Sequence, residues 1–128
     1  MIVRELSEII EEIIEEGYDD SPVFLKCIHP ETRESVRITL QECFESNSSG
    51  VCYLHAFVKG RGTTVDDLDL FLSKRRDSQK VKGLISDSNL MVQGEIVDVY
   101  VDSDDNAIIE IECTNRDTLE LLMDKIDF

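Results

Sequence analysis

Lys59-Gly-Arg-Gly-Thr-Thr64 holds the ingredients of an anion cradle. Gly60 and Gly62 let backbone amides turn toward a ligand. A helix opening at Thr64, just after Thr63, adds the partial positive charge of its N-terminus, and Lys59 and Arg61 add full charges. The spacing is not that of a P-loop, which needs Gly-Lys-Ser/Thr at the end of a longer glycine loop. Asp66 and Asp67, in the first turn of the helix, oppose a bound anion. The plainer reading is a strand-to-helix connector with two solvated charges.

A second group is the run Lys74-Arg75-Arg76 with Lys80 and Lys82. It could grip a nucleic acid locally or pair with acidic helices of another copy, or it could complement the negative end of the helix it closes. Few aromatics accompany it, which disfavours base stacking. Cys27-x-His29 and Cys52-x-x-His55 invite a zinc site or a Cys/His nucleophile pair. In an extended strand, however, Cys52 and His55 point to opposite faces, and zinc needs ligands that converge on one point. Asp102-Ser-Asp-Asp-Asn106 invites calcium but lacks the glycine and the bidentate glutamate of a calcium loop. It reads as a solvated turn. No nucleophile elbow and no paired-acid signature occurs. The expectation is a non-enzymatic protein with no metal and no cofactor.

These groups sit in an uneven field. The stretch from Lys59 to Lys82 carries seven basic residues against four acids, whereas residues 1–58 and 83–128 carry net charges of −8 and −10. The chain totals −15 over 128 residues. A field of that sign repels phosphate backbones and anionic membranes, which disfavours nucleic acid and membrane partners and favours a protein with a basic surface. No stretch reaches the apolar length of a membrane span, and residues 1–16 turn acidic too early for a secretory signal. The expectation is a cytoplasmic protein whose four cysteines, Cys27, Cys43, Cys52 and Cys113, are reduced, although the sequence alone leaves disulfides open.

The elements that must position these groups follow from periodicity. Ile2, Leu6, Ile9, Ile10, Ile13 and Ile14 form the apolar stripe of a helix over 2–16, with Glu8, Glu11, Glu12 and Glu15 on its outer side. Val23–His29 alternates as a strand and pairs with Glu34–Leu40, and Gln41–Glu45 reads as one helical turn. Val51–Val58 is a central strand. Thr64 caps a second helix, with Asp67 completing the box and Lys74–Arg76 in the last turn. Gln79–Ile85 is a strand, followed by a turn at Ser86–Asn89. Leu90–Val101 and Ala107–Cys113 form a hairpin, with Gly94 as a bulge or bend, and a third helix spans 115–127.

Hairpins dominate this order, so the fold class is α+β, with three helices and a largely antiparallel sheet of five to six strands in a single domain, 1–128. Ile2-Val-Arg-Glu-Leu and Thr64-Val-Asp-Asp-Leu each open a helix that leads toward a strand, which leaves open two similar halves, 1–58 and 59–128.

The first of those helices, with Val3, Glu5, Leu6 and Ile10, leads through Tyr18–Ser21 into the strand Val23–Leu25. This opening resembles that of small uncharacterised phage and bacterial proteins, in which a V-x-E-L helix precedes a strand. The resemblance covers residues 2–28 and implies a phage or bacterial accessory protein, with no activity attached. The combined expectation is an acidic binding protein acting through protein–protein contacts, such as a phage-encoded antagonist of a host protein. Glu8, Glu11, Glu12, Glu15, Lys74, Arg75 and Arg76 would meet the partner or a second copy of the chain. The alternative is a small-anion or nucleotide binder using Lys59, Gly60, Arg61, Gly62, Thr63 and Thr64.

Overall fold

The computed structural model describes residues 1–57, 62–87, 90–113 and 115–125. The elements run α1 (Val3–Glu15), β1 (Val23–Ile28), β2 (Ser35–Glu45), β3 (Cys52–Phe57), α2 (Val65–Ser73), β4 (Val81–Asp87), β5 (Leu90–Val101), β6 (Ala107–Cys113) and α3 (Arg116–Lys125). The class is α+β with three helices and six strands. The sheet, however, is a closed barrel in the order β1-β2-β3-β4-β5-β6. Four of its ladders are antiparallel; β3 with β4 and β6 with β1 are parallel. "Largely antiparallel" therefore holds, and closure is what periodicity did not foresee. The α2 crossover makes the first parallel pairing sterically available, since parallel neighbours need a long connection.

Closure follows from alternation carried round all six strands. Val23, Leu25 and Cys27 of β1, Val36, Ile38 and Leu40 of β2, and Cys52, Leu54 and Ala56 of β3 are buried, with Val81 and Ile85, Val92 and Ile96, and Ala107, Ile109 and Ile111 completing the ring. The interior is filled. A Cβ added at Gly83 would fall on the Ile111 side chain, and β4 and β6 are not neighbours, so Ile111 spans the lumen. A barrel this narrow is a packed core and not a pore.

Helices α1 and α2 contribute Val3, Leu6, Ile10 and Ile13, and Val65, Leu68 and Leu72, to the same cluster. They pack against each other and run in opposite senses. Ile2 bridges to Lys80, just past the end of α2, and Pro22, after α1, bridges to Thr64 at the start of α2. Each helix opens on the same device: the backbone N–H of Ile2 donates to Glu5 Oε1 at 3.0 Å, and that of Thr64 donates to Asp67 Oδ2 at 3.2 Å. The strands correspond as well. Strand β2 pairs β1 with its first half and β3 with its second, with a bulge at Gln41; β5 pairs β4 and then β6, with a bulge at Val97. Val23 faces Ala107 in one parallel seam, and Val81 faces Cys52 in the other.

Four local expectations are corrected. Gln41–Glu45 is strand, because the chain beyond the Gln41 bulge still pairs with β3. Ser86 belongs to β4, where the parallel register sets it beside Phe57. Helix α2 ends at Ser73, so Lys74–Arg76 lie past its last turn and Lys74 is its C-cap. The bulge in β5 is at Val97, which is thereby left exposed, and not at Gly94. A fifth correction concerns the thiols: Cys27 and Cys113, expected to be reduced, are joined as a disulfide, with Cα atoms 6.6 Å apart. The β1–β6 register brings this about by setting Cys27 opposite Ile111, two residues from Cys113. Cys43 and Cys52 are free thiols.

Gly94 serves close approach of two strands. A methyl group there would overlap the Glu112 carbonyl on β6, and backbone cannot swing aside as a side chain does. Gly94→Ala is expected to lower stability by about 1–3 kcal/mol, read as a drop in the denaturant midpoint at unchanged slope.

Candidate functional site

Of the anion-cradle residues, Lys59, Gly60 and Arg61 lie outside the described ones, whereas Gly62, Thr63 and Thr64 are within them. The amides that would face an anion are engaged inside the fold. Thr63 N–H donates to Leu40 O at 2.9 Å, Val65 N–H to Ser21 O and Asp66 N–H to Asp19 O, both at 3.0 Å. Thr64 and Asp67 satisfy each other, since Asp67 N–H returns to Thr64 Oγ1 at 3.3 Å. The capping box read from the sequence thus exists, and it occupies donors that an anion would need.

The cations divide into two sets. Arg75 turns inward: Nη1 donates to Glu45 at 3.0 Å, the guanidinium lies 4.4 Å over the Phe71 ring, and Nε is buried with no partner among the described residues. Gln79, buried alongside, donates to Glu45 and to Gly50 O and accepts from Arg76 N–H. This network fastens the segment after α2 to the loop between β2 and β3. Lys82 pairs with Glu95 at 3.5 Å. Lys74, Arg76 and Lys80 are exposed, and among the described residues none of them makes an ion pair. Arg76 and Lys80, with Ser49, Gly50 and Ser78, line an open cavity of about 440 Å³. Glu8, Glu11, Glu12 and Glu15 are all exposed on the outer side of α1. So Arg75 leaves the proposed contact set for a structural one, and the four glutamates share a face as their spacing requires.

The acidic turn closes on itself. Asp102 Oδ1 accepts from the N–H groups of Asp104 and Asn106 at 3.0 and 2.9 Å, and Arg37 reaches Oδ2 at 3.0 Å. These backbone donors chiefly hold the Asp102 carboxyl below its usual range. No group of three His, Cys, Asp or Glu side chains able to hold a metal occurs among the described residues. Cys52 points into the barrel and His55 outward, as strand alternation dictates.

Both histidines do something the sequence did not reveal. His29 Nδ1 accepts from the N–H groups of Glu31 and Thr32 at 3.1 and 3.2 Å, and so carries no proton. Nε2–H then donates to Glu120 Oε1 at 3.1 Å and ties α3 to the β1–β2 turn. His55 is wired the other way: Nδ1 lies 3.2 Å from Glu42 Oε1, and Nε2 lies 2.8 Å from Ser86 Oγ. Its ring centroid is 3.9 Å from that of Phe57 and 5.9 Å from that of Phe44. The link between Glu42 and His55 depends on the bulge at Gln41, which reading 41–45 as helix concealed.

Comparison with protein-family models, curated proteins and solved structures returns no match for this chain. The functional reading therefore rests on the residues themselves.

The free thiols give a pH signature. Burial, with the neighbouring Cys52 and Glu42 adding to it, pushes the Cys43 thiol up from 9.0 to about 12, and burial also raises Cys52. Burial and a hydrogen bond to Glu110 push the Tyr100 phenol up from 10.0 to about 12. Between pH 9 and 12 the unfolded chain has lost protons that the native chain still holds, so stability falls as pH rises through that window. The denaturant midpoint is expected to be flat up to about pH 8.5 and to decline above it. At pH 8, iodoacetamide should leave Cys43 and Cys52 unmodified until denaturant is added, as read by mass spectrometry.

Proposed function

We propose that this protein acts by binding a protein with a basic surface, through the outer face of α1. The carrying observation is that Glu8, Glu11, Glu12 and Glu15 are exposed while, among the described residues, none is paired with a cation. The side-chain cations that do make ion pairs among the described residues serve other acids: Lys26 with Glu110, Arg37 with Asp102, Arg75 with Glu45, Lys82 with Glu95, and Arg116 with Glu31. The buried stripe holds α1 rigidly on the core, so the carboxylates are offered in a fixed row about 10 Å long at 1.5 Å per residue. A partner with lysines or arginines one helical turn apart matches that row. Glu15 and Glu16 at the negative pole of the helix cost up to about 1 kcal/mol, a price in stability that a contact surface would explain. The resemblance of residues 2–28 to phage and bacterial accessory proteins fits a phage-encoded antagonist of a host protein. Opposite charge on α1 and on Lys74, Arg76 and Lys80 also supports pairing with a second copy of the chain. The paired bulges, capping devices and registers support reading 1–58 and 59–128 as two similar halves.

A second reading, a binder of small anions or nucleotides, is favoured by the cavity that Arg76 and Lys80 line with Ser49 and Ser78. Lys59, Gly60 and Arg61, of the loop first singled out for this role, lie outside the described residues.

The two readings separate cleanly. Under the first, the protein captures basic proteins from cell lysate in low salt and releases them as salt rises. A variant carrying Glu8→Lys, Glu11→Lys, Glu12→Lys and Glu15→Lys should then bind at least about tenfold more weakly, by loss of charge complementarity. Binding indifferent to both salt and charge reversal would overturn it. Under the second, phosphate or nucleotides raise the melting temperature, and Arg76→Ala or Arg61→Ala removes the shift.

A further inference from the structure

We propose that Ser86 is a nucleophilic serine, activated by His55 and oriented by Glu42, that takes an acyl group from a small uncharged or cationic ester. The three side chains come from three adjacent strands on the outer side of the barrel, with Glu42 in solvent and His55 and Ser86 beneath it, 7% and 9% exposed. Their hydrogens are dictated by their chemistry. A carboxylate accepts hydrogen bonds and donates none, so the ring nitrogen 3.2 Å from Glu42 carries the proton. That leaves Nε2 as a lone pair, and Ser86 Oγ, 2.8 Å away, must donate to it. A hydroxyl aimed at an imidazole base whose other nitrogen is held by a carboxylate is the arrangement that nucleophilic serine catalysis needs. His29 supplies the contrast within the same molecule: its Nδ1 accepts two backbone N–H groups and its Nε2 donates to Glu120, so no lone pair faces a hydroxyl.

Two observations say that the fold does not need this chain of bonds. First, the two parallel seams give an internal comparison. The positions that correspond to Glu42, His55 and Ser86 across the repeated register are Asp98, Glu110 and Ile28. The barrel closes there without a histidine or a serine. Second, the bulge at Gln41 is what turns Glu42 outward. Val36, Ile38 and Leu40 point inward, so unbroken alternation would send Glu42 into the core; the irregularity sets it opposite His55, with its side chain 54% exposed. A bulge that re-aims one polar side chain is a common device beside active sites.

The surroundings define the substrate. Phe57 and Phe44 hold the imidazole from two sides. Phe57 on β3 and Met91 on β5 flank Ser86 in register, and Met91 is 60% exposed. A short apolar acyl group would find contact there. The net charge of −15, with Glu42 and Asp87 close by, repels anionic esters. In the reaction, Ser86 Oγ bonds to the acyl carbon while its proton passes to His55 Nε2. The bond to the leaving oxygen breaks, and that oxygen takes the proton from His55. Water then attacks the acyl-serine with His55 as base, the acid departs, and the proton returns to Ser86 Oγ.

The test uses the full chain with a small neutral fluorophosphonate, which phosphonylates activated serines with loss of fluoride, and with p-nitrophenyl acetate. A single adduct is expected, mapped to Ser86 and not to Ser46 or Ser48, together with catalytic release of p-nitrophenol that Ser86→Ala abolishes. His55→Gln should slow labelling on the order of 10²–10⁴-fold. Glu42→Gln, a change at a side chain that is 54% exposed, should slow it about tenfold or more in protein with a native circular dichroism spectrum. Failure of Ser86 to label in protein with a native circular dichroism spectrum overturns the proposal. So does labelling at Ser86 whose rate Glu42→Gln leaves unchanged, which also decides the matter should His55→Gln not fold.

Discussion

Two parallel seams hold this molecule shut. Four hairpin-type ladders form between strands close in sequence, and they would make two open three-stranded sheets. Only the pairings of β3 with β4 and of β6 with β1 turn those sheets into a barrel. Both seams set a buried residue at the foot of one strand beside a buried residue of the other, Cys52 with Val81 and Ala107 with Val23. The α1–α2 pair lies where both seams begin, bridged at Ile2–Lys80 and Pro22–Thr64. Every group given a chemical role here inherits its position from that closure: α1 presents its glutamates because its other face is sealed into the core, and Ser86 reaches His55 only across the β3–β4 seam.

How much of this was legible in the sequence depends on the distance over which each signal acts. Helical stripes such as Leu6, Ile10 and Ile13, the Thr64–Asp67 box and the β5–β6 hairpin are written in neighbouring residues. Local periodicity therefore read them correctly. Parallel pairing between residues 23 and 107 has no local signature; it is decided by which closed packing buries the most apolar surface. The bulge at Gln41 was equally hidden, because a one-residue slip leaves composition untouched and changes only which face each later residue meets. From that single slip came both the misreading of 41–45 as helix and the missed meeting of Glu42 with His55.

The charge pattern behaved in the same way. The cationic island between Lys59 and Lys82 was visible as a run, yet its members answer to different surroundings. Arg75 stacks on Phe71 and neutralises Glu45 beside the free thiols, and Lys82 serves Glu95, whereas Lys74, Arg76 and Lys80 stay in solvent. Linear charge counting cannot separate a guanidinium that supports a core from one left for a partner. The acidic side is simpler, because a helix of known phase sorts its carboxylates outward without help from the rest of the chain.

Closure also governs what happens while the chain is being made. Once residues 1–57 have left the ribosome, the first three strands can pair with one another. Both outer strands, β1 and β3, still show open rows of amides and carbonyls that only β6 and β4 can cover. Unpaired strand rims recruit strands from other molecules, so the nascent half is at its most adhesive until the last strand arrives. Any cleavage between β3 and β4 that lets the halves separate re-exposes the same two rims at once.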